Sequence, residues 1–177
     1  NPTEYGTRKP PTSTFTATGC ASAILTKEKS NIKIESVTIG KAVDYGIKDV
    51  YNMGAAMAPS ASYTISKHLE DLNRSPDYYD LILTGDLGMY GKKILKELIK
   101  KEHNIDLKDN YEDCGCLLYD LKKQDVKAGA SGPTSSALVT FSYIIDEMKK
   151  GNIKRVLLVA TGALMSPTMM NQKLTIP

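Results

Sequence analysis

The sequence predicts an α/β domain in which a mixed five-stranded sheet is covered by helices, in the order β-β-α-β-α-β-α-β. Three observations carry this reading. Two β-compatible runs open the chain, three segments with helical apolar spacing follow, and short apolar runs of strand length stand between and after them.

Thr12 to Ile24 is dense in Thr and other β-compatible residues. Ile32-Lys33-Ile34-Glu35-Ser36-Val37-Thr38-Ile39 alternates with period two, so two long adjacent strands are expected, with Ser30-Asn31 as their turn. Ala55 to Leu72 places Ala58, Ala61, Ile65, Leu69 and Leu72 on one helical face, and Asn73 with Ser75-Pro76 marks its end. Asp80 to Thr84 follows as a short buried strand.

Met89 to Glu102 sets Ile94, Leu95, Leu98 and Ile99 on one stripe and Lys92, Lys93, Lys96, Lys100 and Lys101 off it, the pattern of a surface helix packed on a sheet. That lysine face could also rest on anionic lipid, although a charge stripe opposite an apolar one is usually the solvated side. Leu117 to Tyr119 is expected as a short strand, Pro133 to Lys150 as the third helix, stopped by Gly151-Asn152, and Arg155 to Thr161 as the last strand. The third helix carries apolar residues around most of its circumference from Ala137 to Ile145, as a helix buried between two layers would. On that ground the isolated chain is expected to self-associate, or to be ordered only beside a further half of a longer protein, through an apolar face that includes this helix.

The composition bounds the function. With 177 residues, 41% of them hydrophobic and 24% charged, the chain reads as one globular domain with a real core. A net charge of +3, without basic residues interleaved by aromatics, gives no case for nucleic acid. Cys20, Cys114 and Cys116 cannot all pair within the chain, which favours free thiols in a reducing compartment. Cys114-Gly115-Cys116 lacks a second Cys or His pair, so no zinc site is expected. No apolar run approaches the roughly 20 residues that span a bilayer. The first residue is Asn rather than Met, consistent with a piece of a longer protein.

The most informative stretch is Gly129-Ala130-Ser131-Gly132-Pro133-Thr134-Ser135-Ser136. Pro133 suits the first turn of a helix, where a missing N–H costs nothing, and the following hydroxyls crowd the free backbone donors of that turn. Such a terminus can hold an anion or oxyanion. The same residues could equally serve a tight turn and a helix cap.

The order of a GASG-type turn, an amphipathic helix and the strand Arg155 to Thr161 resembles the thiolase and β-ketoacyl synthase superfamily in its C-terminal half. Within it, Asn52 to Pro59, Asp80 to Gly88, Gly129 to Pro133 and Ala160 to Pro167 resemble, in register, the stage V sporulation protein AD family of spore-forming Firmicutes. Pro2 to Thr7 and Thr175-Ile176-Pro177 match as well. The resemblance implies a thiolase-like C-terminal half-domain over residues 1–177 of a longer two-half protein. It implies binding of dipicolinic acid (pyridine-2,6-dicarboxylate), with calcium as a candidate companion, for uptake into the developing spore. It further implies a place peripheral to the spore inner membrane, homo-oligomerisation, and partnership with the N-terminal half and with SpoVA-type membrane proteins.

Condensing enzymes of this superfamily combine a cysteine nucleophile on one half with histidine on the other. Here Thr84-Gly85-Asp86-Leu87-Gly88 stands where the synthases carry a histidine motif, and Asp125-Val126-Lys127-Ala128 where thiolases have Gly-His-Pro. The two histidines, His68 within a helix and His103 at a helix end, read as structural or solvated. A binding module without catalysis and without a cofactor is therefore expected. An acyltransferase using a cysteine from the other half, or a sporulation scaffold that binds no small molecule, are the alternatives. The resemblance puts Ser131, Gly132, Thr134, Thr161, Gly162, Ser166 and Asp86 at the ligand cavity. Asp86 fits least well, because a carboxylate repels a dicarboxylate unless it is protonated or bridged by a cation, and it could instead cap the helix that follows.

Overall fold

The computed structural model describes residues 9–177. Pro2 to Thr7, which contribute to the family resemblance, lie outside the described residues. Helix α1 (Met53–Asp71) starts at Asn52, whose side chain accepts from the Ala55 amide at 3.3 Å. Strand β2 (Leu81–Thr84) leads into α2 (Gly88–His103), which ends on Asn104 in the left-handed region, with φ of 55°. Strand β3 (Tyr111–Asp113) runs directly into a single helical turn, α3 (Cys114–Leu117). Strand β5 (Val156–Val159) and a short helix, α5 (Pro167–Asn171), come last.

These strands make a parallel three-stranded sheet in the order β3-β2-β5, with Ile82 opposite Tyr111 and Leu157, and Thr84 opposite Asp113 and Val159. Because successive residues of a strand face opposite ways, Ile82 and Leu83 serve different cores. Ile82, with Leu157 and Val159, packs against Met57, Ala58, Ala61 and Ile65 of α1 and Leu95 and Ile99 of α2. Leu83, on the other face, meets Cys114, Val139 and Ile144. Both faces of β2 are thus covered, which is why it reads as an unbroken apolar run.

Helix α4 covers that second face. It runs without a break from Pro133 to Lys149, as α-helix over Pro133–Leu138, π-helix over Val139–Ile144 and α-helix over Ile145–Lys149. Val139 and Ile144 are buried, while Phe141 and Tyr143 turn outward and remain 45% and 55% exposed. The apolar girdle expected for this helix is real, and its outer side is uncovered. A separate two-stranded parallel sheet joins β1 (Phe15–Thr16) to β4 (Ala130–Ser131), pairing Phe15 with Ala130 and Thr16 with Ser131.

The α/β class and the parallel sheets covered by helices agree with the sequence reading. The expected single five-stranded sheet is instead divided into three strands and two. Of the run from Thr12 to Ile24 only Phe15–Thr16 is strand, and 32–39 joins no ladder. Alternation shows that a segment can pair; it does not supply an edge, and Ile34, Val37 and Ile39 lie 65%, 79% and 91% exposed. The strand expected at Leu117 to Tyr119 lies earlier. Tyr111 and Asp113 are the residues buried beside β2, and Leu117 is exposed at the end of the α3 turn.

Candidate functional site

In parallel sheets the carboxyl ends of neighbouring strands lie side by side, and ligands bind in the crevice beyond them. Here Thr84 ends β2 beside Val159 of β5, so the next residues of each, Gly85-Asp86 and Ala160-Thr161, must meet. They do so through hydrogen bonds. Asp86 Oδ1 accepts from Thr161 Oγ1 at 2.8 Å, and the Asp86 amide donates back to the same hydroxyl at 3.0 Å.

The other carboxylate oxygen, Asp86 Oδ2, accepts from the amide of Gly132 at 2.7 Å. Gly132 has φ of 99° and ψ of 160° and stands immediately before Pro133, the first residue of α4. This backbone conformation strains any L side chain, which is the physical need for glycine there. One carboxylate therefore ties together the end of β2, the end of β5 and the start of α4, and its charge lies at the favourable end of that helix.

A second carboxylate lies directly behind it. Asp113, fully buried at the end of β3, accepts from Thr84 Oγ1 at 2.7 Å and from the amides of Leu87 at 2.9 Å and Gly88 at 3.0 Å. Two of those donors are the free amides at the start of α2, so Asp113 caps from across the sheet a helix that has no side-chain cap of its own. Burial pushes the Asp113 carboxyl above the usual carboxylate range, with the three hydrogen bonds opposing. Burial also raises the Tyr111 phenol, whose oxygen lies 3.2 Å from Thr84 Oγ1. At the rim Lys92 pairs with Glu112.

Of the seven residues expected at the cavity, Asp86, Gly132 and Thr161 are joined directly. Ser131 belongs to β4 next to Gly132, and its carbonyl accepts from the Ala17 amide at 2.9 Å. Thr134, in the first turn of α4, has an amide with no acceptor inside the helix. Gly162 is exposed, with open space where a Cβ would stand. Ser166 precedes α5, and its carbonyl accepts from Met170. No hydrogen bond among the described residues joins Gly162 or Ser166 to Asp86. Asp86 caps α4 rather than α2.

Asp113 and Thr84 are the site residues that sequence reasoning passed over. The available signal was the alternation of Tyr111, Glu112 and Asp113 before two glycine-spaced cysteines, hidden once the strand was placed at Leu117. Cys114 is buried and Cys116 partly so: burial raises the Cys114 thiol strongly and pushes Cys116 up to about 12. His68 is engaged at both ring nitrogens, with Thr38 Oγ1 at 2.7 Å and Tyr79 OH at 2.6 Å.

A parallel sheet covered by helices on both faces, with a carboxylate-braced glycine turn opening a helix at its carboxyl edge, is the architecture of an α/β domain consistent with a thiolase-like half. The chain belongs to the stage V sporulation protein AD (SpoVAD) family, whose model matches residues 1–177. It is 49% identical over 176 residues to Stage V sporulation protein AD of Bacillus subtilis (strain 168), an alignment covering 99% of this chain and 52% of that protein. The chain thus spans about half the length of that relative. Family membership makes it a sporulation protein. No helix among the described residues is long and apolar enough to cross a membrane.

Proposed function

We propose that this domain contributes one wall of a non-catalytic binding site for dipicolinic acid, serving its uptake into the developing spore in company with the other half of the protein and with membrane partners. The observation that carries the reading is the Asp86 clamp, which holds the start of α4 against the ends of β2 and β5. A flat aromatic dianion needs fixed donors on a surface without bulk. The Thr134 amide, the Ser131 and Thr134 hydroxyls and the open backbone at Gly162 supply both.

Asp86 is a positioning residue in this arrangement. Its two oxygens are spent on Gly132 and Thr161, so it shapes the turn instead of facing the ligand. The described residues hold no group of three His, Cys, Asp or Glu suited to a metal. Calcium enters this reading as the ligand's own chelated counterion.

Binding without turnover is supported by the state of the candidate groups. His68 is bonded on both nitrogens, and burial holds Cys114 and Cys116 in the thiol form, which is a poor nucleophile. The deciding experiment is calorimetric titration of a full-length protein carrying this stretch with dipicolinate, with and without calcium, beside an assay on acyl-CoA thioesters. Saturable heat with intact thioesters is the expected result. Thiolysis or condensation would replace this reading with an acyltransferase, and a flat titration would replace it with a scaffold.

A further inference from the structure

Helices α1 and α2 cover one face of β2 and α4 covers the other, and the outer surfaces of the two layers differ in kind. The outer side of α4 is apolar, with Phe141 and Tyr143 exposed; the outer side of α2 is a row of lysines. The chain spans about half the length of its Bacillus subtilis relative, and a further half gains by packing on the α4 side, where apolar surface is buried. Packing it on α2 would strip water from ammonium groups that have no partner. The α2 side is therefore the one left facing the surroundings.

The charge of the protein is concentrated there. Five lysines and two glutamates lie within Gly88–His103, a net charge of +3, which equals the net charge of all 177 residues. The rest of the chain is neutral in sum. Lys92 pairs with Glu112, Lys100 lies 3.6 Å from Asp106, and Glu102 accepts from Tyr45 OH at 2.6 Å. Lys93, Lys96 and Lys101 are exposed, and no ion pair or hydrogen bond among the described residues engages their ammonium groups.

Helix stability does not explain this arrangement. Lys92, Lys96 and Lys100 follow one another at i, i+4 spacing, so like charges face each other along the helix and weaken it. Lys100 and Lys101 suit the negative end of the helix dipole. The first turn, however, holds no acidic residue, and Lys92 and Lys93 follow it in the second, nearer the positive end.

We propose that the α2 stripe seats the domain on an anionic lipid surface, with Lys93, Lys96, Lys100 and Lys101 at the level of the headgroup phosphates. The composition of the stripe favours a bilayer over a folded partner. No large exposed hydrophobic residue lies on α2, so it lacks the apolar or aromatic anchor in which protein interfaces concentrate their energy. It also has no arginine to hold a single phosphate or carboxylate in a bidentate fork. Four point charges spread over about 12 Å of helix complement a plane of diffuse negative charge. With no apolar residue to enter the bilayer, the attraction is Coulombic and salt screens it.

The test is flotation of a full-length protein carrying this stretch on vesicles of phosphatidylcholine, alone or with about one-third phosphatidylglycerol. The expected result at about 0.1 M salt is at least about tenfold more protein on the anionic vesicles, a preference lost at about 1 M. Lys93→Glu/Lys96→Glu/Lys101→Glu, which removes no bond seen in the fold, abolishes the preference and leaves the melting temperature unchanged. Lys27→Glu/Lys29→Glu/Lys33→Glu makes the same change of charge on another exposed segment and keeps the preference. Equal binding to both vesicles, binding to neither, or equal loss in the two triple variants overturns the proposal. So does release from the vesicles by polyglutamate or duplex DNA at equal charge concentration, which would assign the stripe to an acidic protein or to nucleic acid. None of these readouts depends on dipicolinate.

Discussion

Asp86 and Gly132 are 46 positions apart in sequence and joined by a 2.7 Å hydrogen bond from the glycine amide to the carboxylate, the contact that fixes where helix α4 begins. Thr161 completes the arrangement from a third element. The GASG-type turn therefore owes its shape to a carboxylate that local sequence does not place beside it.

Removing either side chain of this clamp should weaken the fold modestly and in a coupled way. Asp86→Asn and Thr161→Val are each expected to cost about 1–2 kcal/mol in urea unfolding, since each loses a hydrogen bond to a charged, partly buried group. The double variant should fall short of the sum by about 0.5–1 kcal/mol, because both remove the same bond. Strict additivity would mean that the two residues act independently.

Asp113 should matter more. Asp113→Ala leaves Thr84 and the Leu87 and Gly88 amides without their acceptor, and a loss of about 3 kcal/mol or more is expected. The pH dependence carries a sign. Because burial raises the folded-state pKa, the folded protein holds this proton more tightly than the unfolded chain. Its contribution is fully present below the ordinary aspartate value of about 3.9 and is lost as pH rises through the raised folded-state pKa. Stability of the parent minus that of Asp113→Asn should thus decline with rising pH across that window, as measured by denaturant titrations at several pH values.

Helices α1 and α2 cross through two glycines. A Cβ on Gly54 would lie 2.4 Å from the Leu87 carbonyl oxygen and 2.7 Å from Gly91 Cα, and the Leu87 amide is held by Asp113, so the start of α2 cannot yield freely. Gly54→Ala is expected to destabilise by about 2–3 kcal/mol through overpacking. For a domain of this size the melting temperature should fall by roughly 4–12 °C in calorimetry.

Two substitutions at the turn separate ligand contact from backbone geometry. Ser131→Ala should lower dipicolinate affinity by a few-fold to about tenfold with little change in melting, the value of one hydrogen bond. Gly132→Val should lower affinity and stability together. The empty space around a Cβ there means that its cost comes from φ of 99° and not from a clash. Equal losses of affinity and stability in Ser131→Ala would assign that hydroxyl to the turn alone.

Much of the fold was legible in local pattern. Helices α1 and α2 appear within two residues of their expected bounds, because Ile65, Leu69, Leu95 and Ile99 repeat at the spacing that one buried face requires. Strand β2 was readable as an unbroken apolar run, since both of its faces are covered, and β5 read the same way although its Leu158 stays 44% exposed. The approach of Asp86, Thr161 and the Gly132 turn to one place followed from the family resemblance, while the bonds between them did not.

By itself, then, the sequence determined the α/β class, the main helices and the buried strands, and it marked a helix start rich in donors, because these depend on residues a few positions apart. Tertiary structure decided the rest. Whether Ile32 to Ile39 finds a strand partner, where β3 begins, and which helix Asp86 and Asp113 cap all depend on contacts between residues tens of positions apart. Periodicity shows which face a residue prefers; the packed backbone alone determines what lies opposite it.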